Sequence, residues 1–378
     1  VSEAEQPRTA LVDVRVLLTN PTEALRFTGV LLGPSPIMPG PWVPGAVQPS
    51  LDQEFTPAAT CGMRMPRDAC EVVTDEVRVP RDGTAFHGLD FRNRIFIDGG
   101  TAALQDCYLG GAKQESGTAQ LVCHDPEVTS VLADFCHFVP DEPQAGCNGV
   151  IGHHWTVRRS VVGRTQDGLG SYVKNGALPR TDNHLEGSYV YKLAWWHPDP
   201  LGIQDDGSHC EPLQHQGQKG LWVVGNTLRG FIEAQDGSDM TDSPSGTPPN
   251  YNQSGQILMV QDNTGAIGDI HVLTNWIYGG ANGMVFRGIG DGQDHVVEVK
   301  RNRWMDNKQK TGNHVNYIRC DDNTVLDLGD GPKAYRNSVE FYDMPGGEDA
   351  NVWGFTGEDA LGNPVAEGEP IKDGVRVP

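Results

Sequence analysis

From about residue 85 onward, apolar and polar positions recur in one arrangement. Take Asp106, Asp134, Ser160, Ser188, Asn226, Asn275, Asn302 and Asn323 as anchors. Three residues before them stand Ala103, Val131, Val157, Leu185, Val223, Val272, Val299 and Cys320, and two residues after them stand Tyr108, Cys136, Val162, Val190, Leu228, Ile277, Trp304 and Val325. The flanks are small, aliphatic, aromatic or Cys, whereas the anchor is always Asp, Ser or Asn. The pattern predicts a strand, a bend and a second strand. Short polar side chains suit the bend because they bond local backbone, and Asn and Asp tolerate the left-handed conformation.

Successive anchors are 28, 26, 28, 38, 49, 27 and 21 residues apart, around the length at which a solenoid completes one turn. Stacked coils would pair in parallel and bury a shared column of Val, Leu, Ile and Cys, so that no coil has to be stable alone. The expected fold is all-β, a right-handed parallel β-helix. A β-propeller is the runner-up, but its four strands per blade require more hairpin signals than the chain contains.

The two longest spacings, 38 and 49, mark insertions, and a solenoid accepts insertions only at its turns. The first insertion contains "AWWHPDPLGIQDDGSHCEPLQHQGQ" and the second "EAQDGSDMTDSPSGTPPNYNQSGQ". If the coils stack in register, both emerge on one side and line a groove. Asp205 and Glu211 would supply the paired carboxylates that glycoside hydrolysis uses, with His209 as a general acid or base. Trp195 and Trp196 offer flat faces for sugar rings, although one of two adjacent strand residues should face the core. Arg180, Arg229 and Asp236 complete the candidate glycan contacts. The blander reading of "QDDG" and "QDG" is that they are tight turns. No spacing matches a zinc signature or an EF-hand loop, so no metal or other cofactor is expected. GxSxG, Walker A, HExxH and a strand-borne GxGxxG are also missing.

Composition supports the all-β reading and narrows the partners. The chain has 47 Gly and 26 Pro in 378 residues, which disfavours long helices. A net charge of −21 repels a phosphate backbone, so nucleic acid is not an expected partner. No run is long and apolar enough to cross a bilayer, and "VSEAEQPRTA" lacks a signal-peptide pattern. The eight cysteines include no CxxC and are read mainly as buried, reduced thiols; Cys61 and Cys70 are the one close pair at a loop spacing. Residues 1–57, with the strand-like runs "LVDVRVLL" and "ALRFTGVLL" and a Pro/Gly-rich arm, read as an attachment module. Residues 58–345 read as the solenoid and residues 346–378 as an extended tail.

The segments "WTVRRSVVG", "HLEGSYVYKLAWWH" and "LWVVGNTLRGF", with "HGLDFRNRIFIDGG", "DIHVLTNWIYGG" and "HVVEVKRNRW" in the same series, resemble coils of the pectate-lyase-like β-helix proteins of actinobacteria and their tailed phages. The resemblance spans roughly residues 60 to 330 and rests on structural motifs. It implies a minor tail or tailspike-like virion protein, made in the host cytoplasm, often homotrimeric, contacting other tail proteins and host cell-surface polysaccharide. A secreted protein is the alternative setting. The Asp-rich calcium cluster and arginine base of true pectate lyases have no counterpart here, so no catalytic residue carries over. The resulting expectation is host-glycan recognition through the inserted loops. The alternatives are a polysaccharide glycosidase or lyase of the same fold and a purely architectural virion protein.

Overall fold

The computed structural model describes residues 61–353 except 80, 82, 112–117, 174–177, 179, 197, 203, 204, 206, 207, 231, 234–255, 279–281, 289–295, 305–317, 340–343 and 345–348. Outside that range it gives three antiparallel pairs of two-residue strands: Arg26–Phe27 with Val30–Leu31, Gly357–Glu358 with Pro364–Val365, and Ile371–Lys372 with Val375–Arg376. The run "LVDVRVLL", the Pro/Gly-rich arm and Asp236 lie outside the described residues.

Three strands per coil build a parallel β-helix. The first stack climbs through Val77–Val79, Ile95–Ile97, Thr118–Cys123, Gln144–Gly152, Thr165–Ser171, Leu213–His215, Gln256–Val260 and Asn282–Phe286. The second climbs through Thr84–His87, Gly100–Gln105, Val128–Asp134, Trp155–Arg158, Arg180–Glu186, Lys219–Val224, Gly268–Leu273 and Val297–Lys300. Ile318–Asp327 crosses the top of both stacks, joins them into one 18-stranded sheet and turns back antiparallel as Pro332–Val339. The third is a ten-stranded sheet that includes Tyr108–Leu109, His137–Phe138, Val161–Gly163, Tyr189–Tyr191, Thr227–Arg229, Trp276–Tyr278, Arg303–Trp304 and Val352–Trp353. Every pairing within the stacks is parallel, as the repeat predicts, and among the described residues the one helical element is a 3-10 turn, Arg67–Ala69.

Alternation along each strand sends one set of side chains inward. In the third sheet Leu109, Phe138, Val162, Val190, Leu228, Ile277 and Trp304 stand in register and are almost fully buried. Val157, Leu185, Val223, Val272 and Val299 do the same in the second. These are the apolar flanks of the sequence repeat, and they form one continuous core. At roughly 25 cal/mol per Å2 of apolar surface removed from water, such columns are the main favourable term in the fold.

The anchors need two corrections. A buried ladder runs between the second and third sheets: the Cys136 N–H donates to Ser160 Oγ, Ser160 N–H to Ser188 Oγ, Ser188 N–H to Asn226 Oδ1, and Asn226 N–H to Asn275 Oδ1, at 2.8–3.1 Å. From Asn302 the ladder passes to Asn351, at 3.0 Å, and not to Asn323, which lies within Ile318–Asp327. In the lower coils the rung position belongs to Cys107 and Cys136. Strand register aligns His137 and Phe138 with Tyr108 and Leu109 below and with Val161 and Val162 above, so Asp106 and Asp134 precede the rung by one and two residues. Both aspartates have apolar neighbours three residues before and two after, so they satisfy the repeat without occupying the rung.

The left-handed bend also falls one residue earlier than expected. Phe135, Arg159, Gly187, Gly225, Thr274 and Arg301 take φ between 47° and 66°, and each directly precedes a rung. The rung residue serves the neighbouring coil instead. Asn226, Asn275, Asn302 and Asn351 each donate Nδ2 to a backbone carbonyl of the coil below, Leu185, Val223, Val272 and Val299 respectively, at 2.8–2.9 Å. Buried backbone groups along this corner thus find partners whatever the coil length, which varies between 24 and 49 residues along the ladder.

Residues 61–70 run down the outside of the corner against the direction of coil growth. Gly62 N–H donates to the Arg159 carbonyl at 2.7 Å, Met63 N–H to His137 Nδ1 at 3.0 Å, and Arg64 N–H to Asp106 Oδ1 at 3.0 Å. The Arg64 and Arg159 guanidiniums lie 4.2 and 4.1 Å from the Phe135 ring centroid. None of the eight cysteines is in a disulfide, and all but the half-buried Cys70 are buried.

Candidate functional site

Outward-facing side chains of the second stack form a second set of columns. In register stand Thr156, His184, Trp222, His271, Glu298 and Asp327, one per coil. Parallel strands lie about 4.8 Å apart, close enough for flat rings to stack along the axis. His184 stacks on Trp222 with centroids 4.5 Å apart and planes at 9°, and Trp222 on His271 at 5.4 Å and 14°. The indole is only 9% exposed and has a ring against each face, so it presents its edge and no open platform.

Above the rings the column becomes ionic. His271 Nε2 lies 2.9 Å from Asp269 Oδ1 and Nδ1 lies 2.5 Å from Glu298 Oε2. Lys300 Nζ reaches Glu298 Oε1 at 3.2 Å and Asp327 Oδ2 at 2.6 Å. Arg180 bonds Asp182 at 2.5 Å through Nε, bonds Asp269 through Nη2, and sits 5.5 Å from the Trp222 ring centroid. Burial works against the His271 charge, but hydrogen bonds to both carboxylates outweigh it and lift the imidazole to about 9. The same bonds from His271 hold Asp269 and Glu298 down to about 2. At neutral pH an imidazolium is therefore clasped between two carboxylates.

These groups line a groove of about 620 Å3 bounded by Arg180, Lys219, Asp269, His271, Val296, Glu298, Asp327 and Pro332. It exposes charged donors and acceptors in successive coils along the solenoid axis. Such a surface suits a hydroxyl-rich linear ligand, bound by hydrogen bonds to side-chain edges.

The residues singled out from sequence fall on different parts of the molecule. Arg180 is in this groove. Arg229 lies on the third sheet, where its Nη1 donates to the Tyr189 hydroxyl at 2.9 Å. Trp195, Trp196, Asp205, His209 and Glu211 belong to the first insertion, between the third and first sheets. The second insertion leaves from the same corner: Leu193–Ala194 pairs in parallel with Ile232–Glu233 at the roots of the two. A neck closes the first insertion, with Trp196 N–H donating to Ser208 Oγ and Ser208 N–H to the Trp196 carbonyl, both at 2.8 Å. Trp196 packs on Ala145 and Ala194, whereas Trp195 is half-buried against the main core. Asp205 and His209 are exposed.

Glu211 is the buried one of the three candidate catalytic residues, at 1% exposure. Its N–H donates to Asp167 Oδ1 at 3.0 Å, and Gln214 Nε2 donates to its Oε2 at 2.6 Å. Burial raises both carboxyls, and for Asp167 the nearby Glu211 charge adds to it. The two acids therefore favour sharing a proton, in a place closed to a polymer. Among the described residues no group of three or more His, Cys, Asp or Glu is arranged to hold a metal ion, and no helix is long and apolar enough to cross a membrane.

The ring-and-carboxylate column is not among the residues expected from sequence, though the chain carries a signal for it. Four residues before the anchors Ser160, Ser188, Asn226, Asn275 and Asn302 stand Thr156, His184, Trp222, His271 and Glu298, immediately beside the apolar column that was read. Comparisons place no known protein beside this chain: no family model matches it, and neither the curated proteins nor the solved structures contain a match.

Proposed function

We infer that this chain is a glycan-recognition protein, a β-helix of the minor tail or tailspike-like kind, that holds host cell-surface polysaccharide along the outer groove of its second sheet. The observation that carries this reading is the axial run of donors and acceptors from Arg180 through His271 to Asp327, fixed by mutual ion pairs on a rigid sheet. Preorganised polar groups bind a hydroxylated chain without the entropy cost of ordering loops. The phage-tail setting is supported by the coil motifs and by the parallel β-helix itself; homotrimeric assembly and contact with other tail proteins belong to the same proposal.

Recognition is favoured over cleavage because of where the protons sit. Glycoside hydrolysis calls for a carboxylic acid with raised pKa facing an ionised carboxylate across the scissile bond. The groove carboxylates Asp269 and Glu298 are both lowered, and the raised pair Asp167 and Glu211 is buried. The test is binding of purified envelope polysaccharides to the intact chain and to His271→Gln combined with Arg180→Gln, with reducing ends and unsaturated products followed in parallel. Binding lost in the double variant, without product in either case, supports the reading. Undiminished binding by a folded double variant removes the groove from it, and product formation makes the chain an enzyme.

A further inference from the structure

The groove is not electrically uniform along its length. At one end Arg180 and Lys219 are register neighbours on adjacent coils; at the other lie Glu298 and Asp327. Arg180 is held by Asp182 and Asp269, His271 by Asp269 and Glu298, and Lys300 by Glu298 and Asp327. Lys219 is different. The coil above it offers Gly268 at the paired position, with no side chain, and among the described residues no carboxylate forms an ion pair with its ammonium. It lines the groove, and the residue is half-buried.

We propose that Lys219 is an anion-recognising subsite of the groove, taking the carboxylate or sulfate of an acidic sugar. The proposal rests on the groove being a glycan site and adds the chemical class of its ligand. An ammonium without a carboxylate partner gains more from an incoming anion than one already paired, because its charge is not already compensated by a neighbour. The polarity of the groove also fixes direction: the acidic substituent sits at the Lys219 end, and hydroxyls meet Asp269, Glu298 and Asp327. Elsewhere a chain of net charge −21 repels an acidic polymer, so a preference for one reports on this place.

The experiment compares carboxymethyl dextran, dextran sulfate and unmodified dextran on the intact chain, on Lys219→Met and on Lys219→Arg, at low and high salt, with thermal melts confirming the fold. The expected result is tighter binding of at least one acidic dextran than of dextran, a tenfold or greater loss in Lys219→Met for that polymer alone, recovery in Lys219→Arg, and weakening by salt. The two acidic polymers separate a carboxylate from a sulfate preference. Equal binding of acidic and neutral dextrans, no binding of any, or an acidic preference that survives Lys219→Met overturns the proposal. Binding that also survives His271→Gln with Arg180→Gln shows instead that the groove reading itself has failed.

Discussion

Asn275 gives both its backbone N–H and its side-chain Nδ2 to a single acceptor, Oδ1 of Asn302, at 3.0 and 2.9 Å across one coil of 27 residues. Asn226 does the same to Asn275, and Asn302 to Asn351. The ladder replaces sheet hydrogen bonds at a corner where the strands have ended, and it does so with fully buried groups.

Asn275→Leu should therefore be strongly destabilising. It removes the acceptor of two donors on Asn226 and strands the Val223 carbonyl, and each buried polar group left without a partner costs about 1–3 kcal/mol. A total loss of about 3 kcal/mol or more is expected in denaturant melts. Asn275→Ser, which copies the rung chemistry of Ser160 and Ser188, should lose less; equal losses would show that the ladder bonds contribute little.

The clasp around His271 gives stability a pH signature. Its pKa rises from 6.5 unfolded to about 9 folded, so its contribution is complete below about 6.5 and disappears as pH climbs through 9. Asp269 and Glu298 are lowered to about 2, so theirs is present above about 4.5 and lost as pH falls toward 2. Melting temperature should peak between these limbs. His271→Gln should flatten the alkaline limb, and an unchanged alkaline slope would contradict the clasp.

Glu211→Gln separates two views of the buried acids. Burial raises both Asp167 and Glu211, and the nearby Glu211 charge raises Asp167 further, so the pair favours the fold most at acid pH and its contribution is lost as pH rises through the raised folded pKa values. Replacing one acid by an amide should raise the melting temperature at pH 7 by a few degrees and leave binding intact. A catalytic Glu211 would instead show itself as lost polysaccharide cleavage with the fold retained.

Deleting residues 236–254 tests which face meets the ligand. The insertion leaves from the corner between the third and first sheets, whereas the groove is on the second, so polysaccharide affinity should change less than threefold. A loss as deep as that of the groove double variant would shift recognition to the inserted loops.

The solenoid was legible in the sequence because its core obeys fixed offsets: Val157, Leu185, Val223, Val272 and Val299 occupy one buried column, and the Ser and Asn rungs hold their places from Ser160 to Asn302. The lower rungs were not legible, because Cys107 and Cys136 fill a polar role with a residue that reads as apolar, while Asp106 and Asp134 stand close by with charge to spare for Arg64, Arg158 and Arg159. The stretch "QDDGSHCEPLQHQG" stands out in the sequence because it is dense in acids and histidines. The groove instead draws one or two residues from each of several coils, with Arg180, Lys219, His271, Glu298 and Asp327 on different strands, and becomes a cluster only when the coils stack.

The segment that fastens the lower corner has a consequence for the order in which the molecule assembles. Residues 61–70 are made before the strands they clasp, yet Gly62 bonds Arg159 and Cys61 packs on Val161 and Tyr189. During synthesis at about 5–20 residues per second, this stretch waits several seconds for its binding surface to emerge. The coils it secures must already have wound themselves, so the strap settles after the spring it holds.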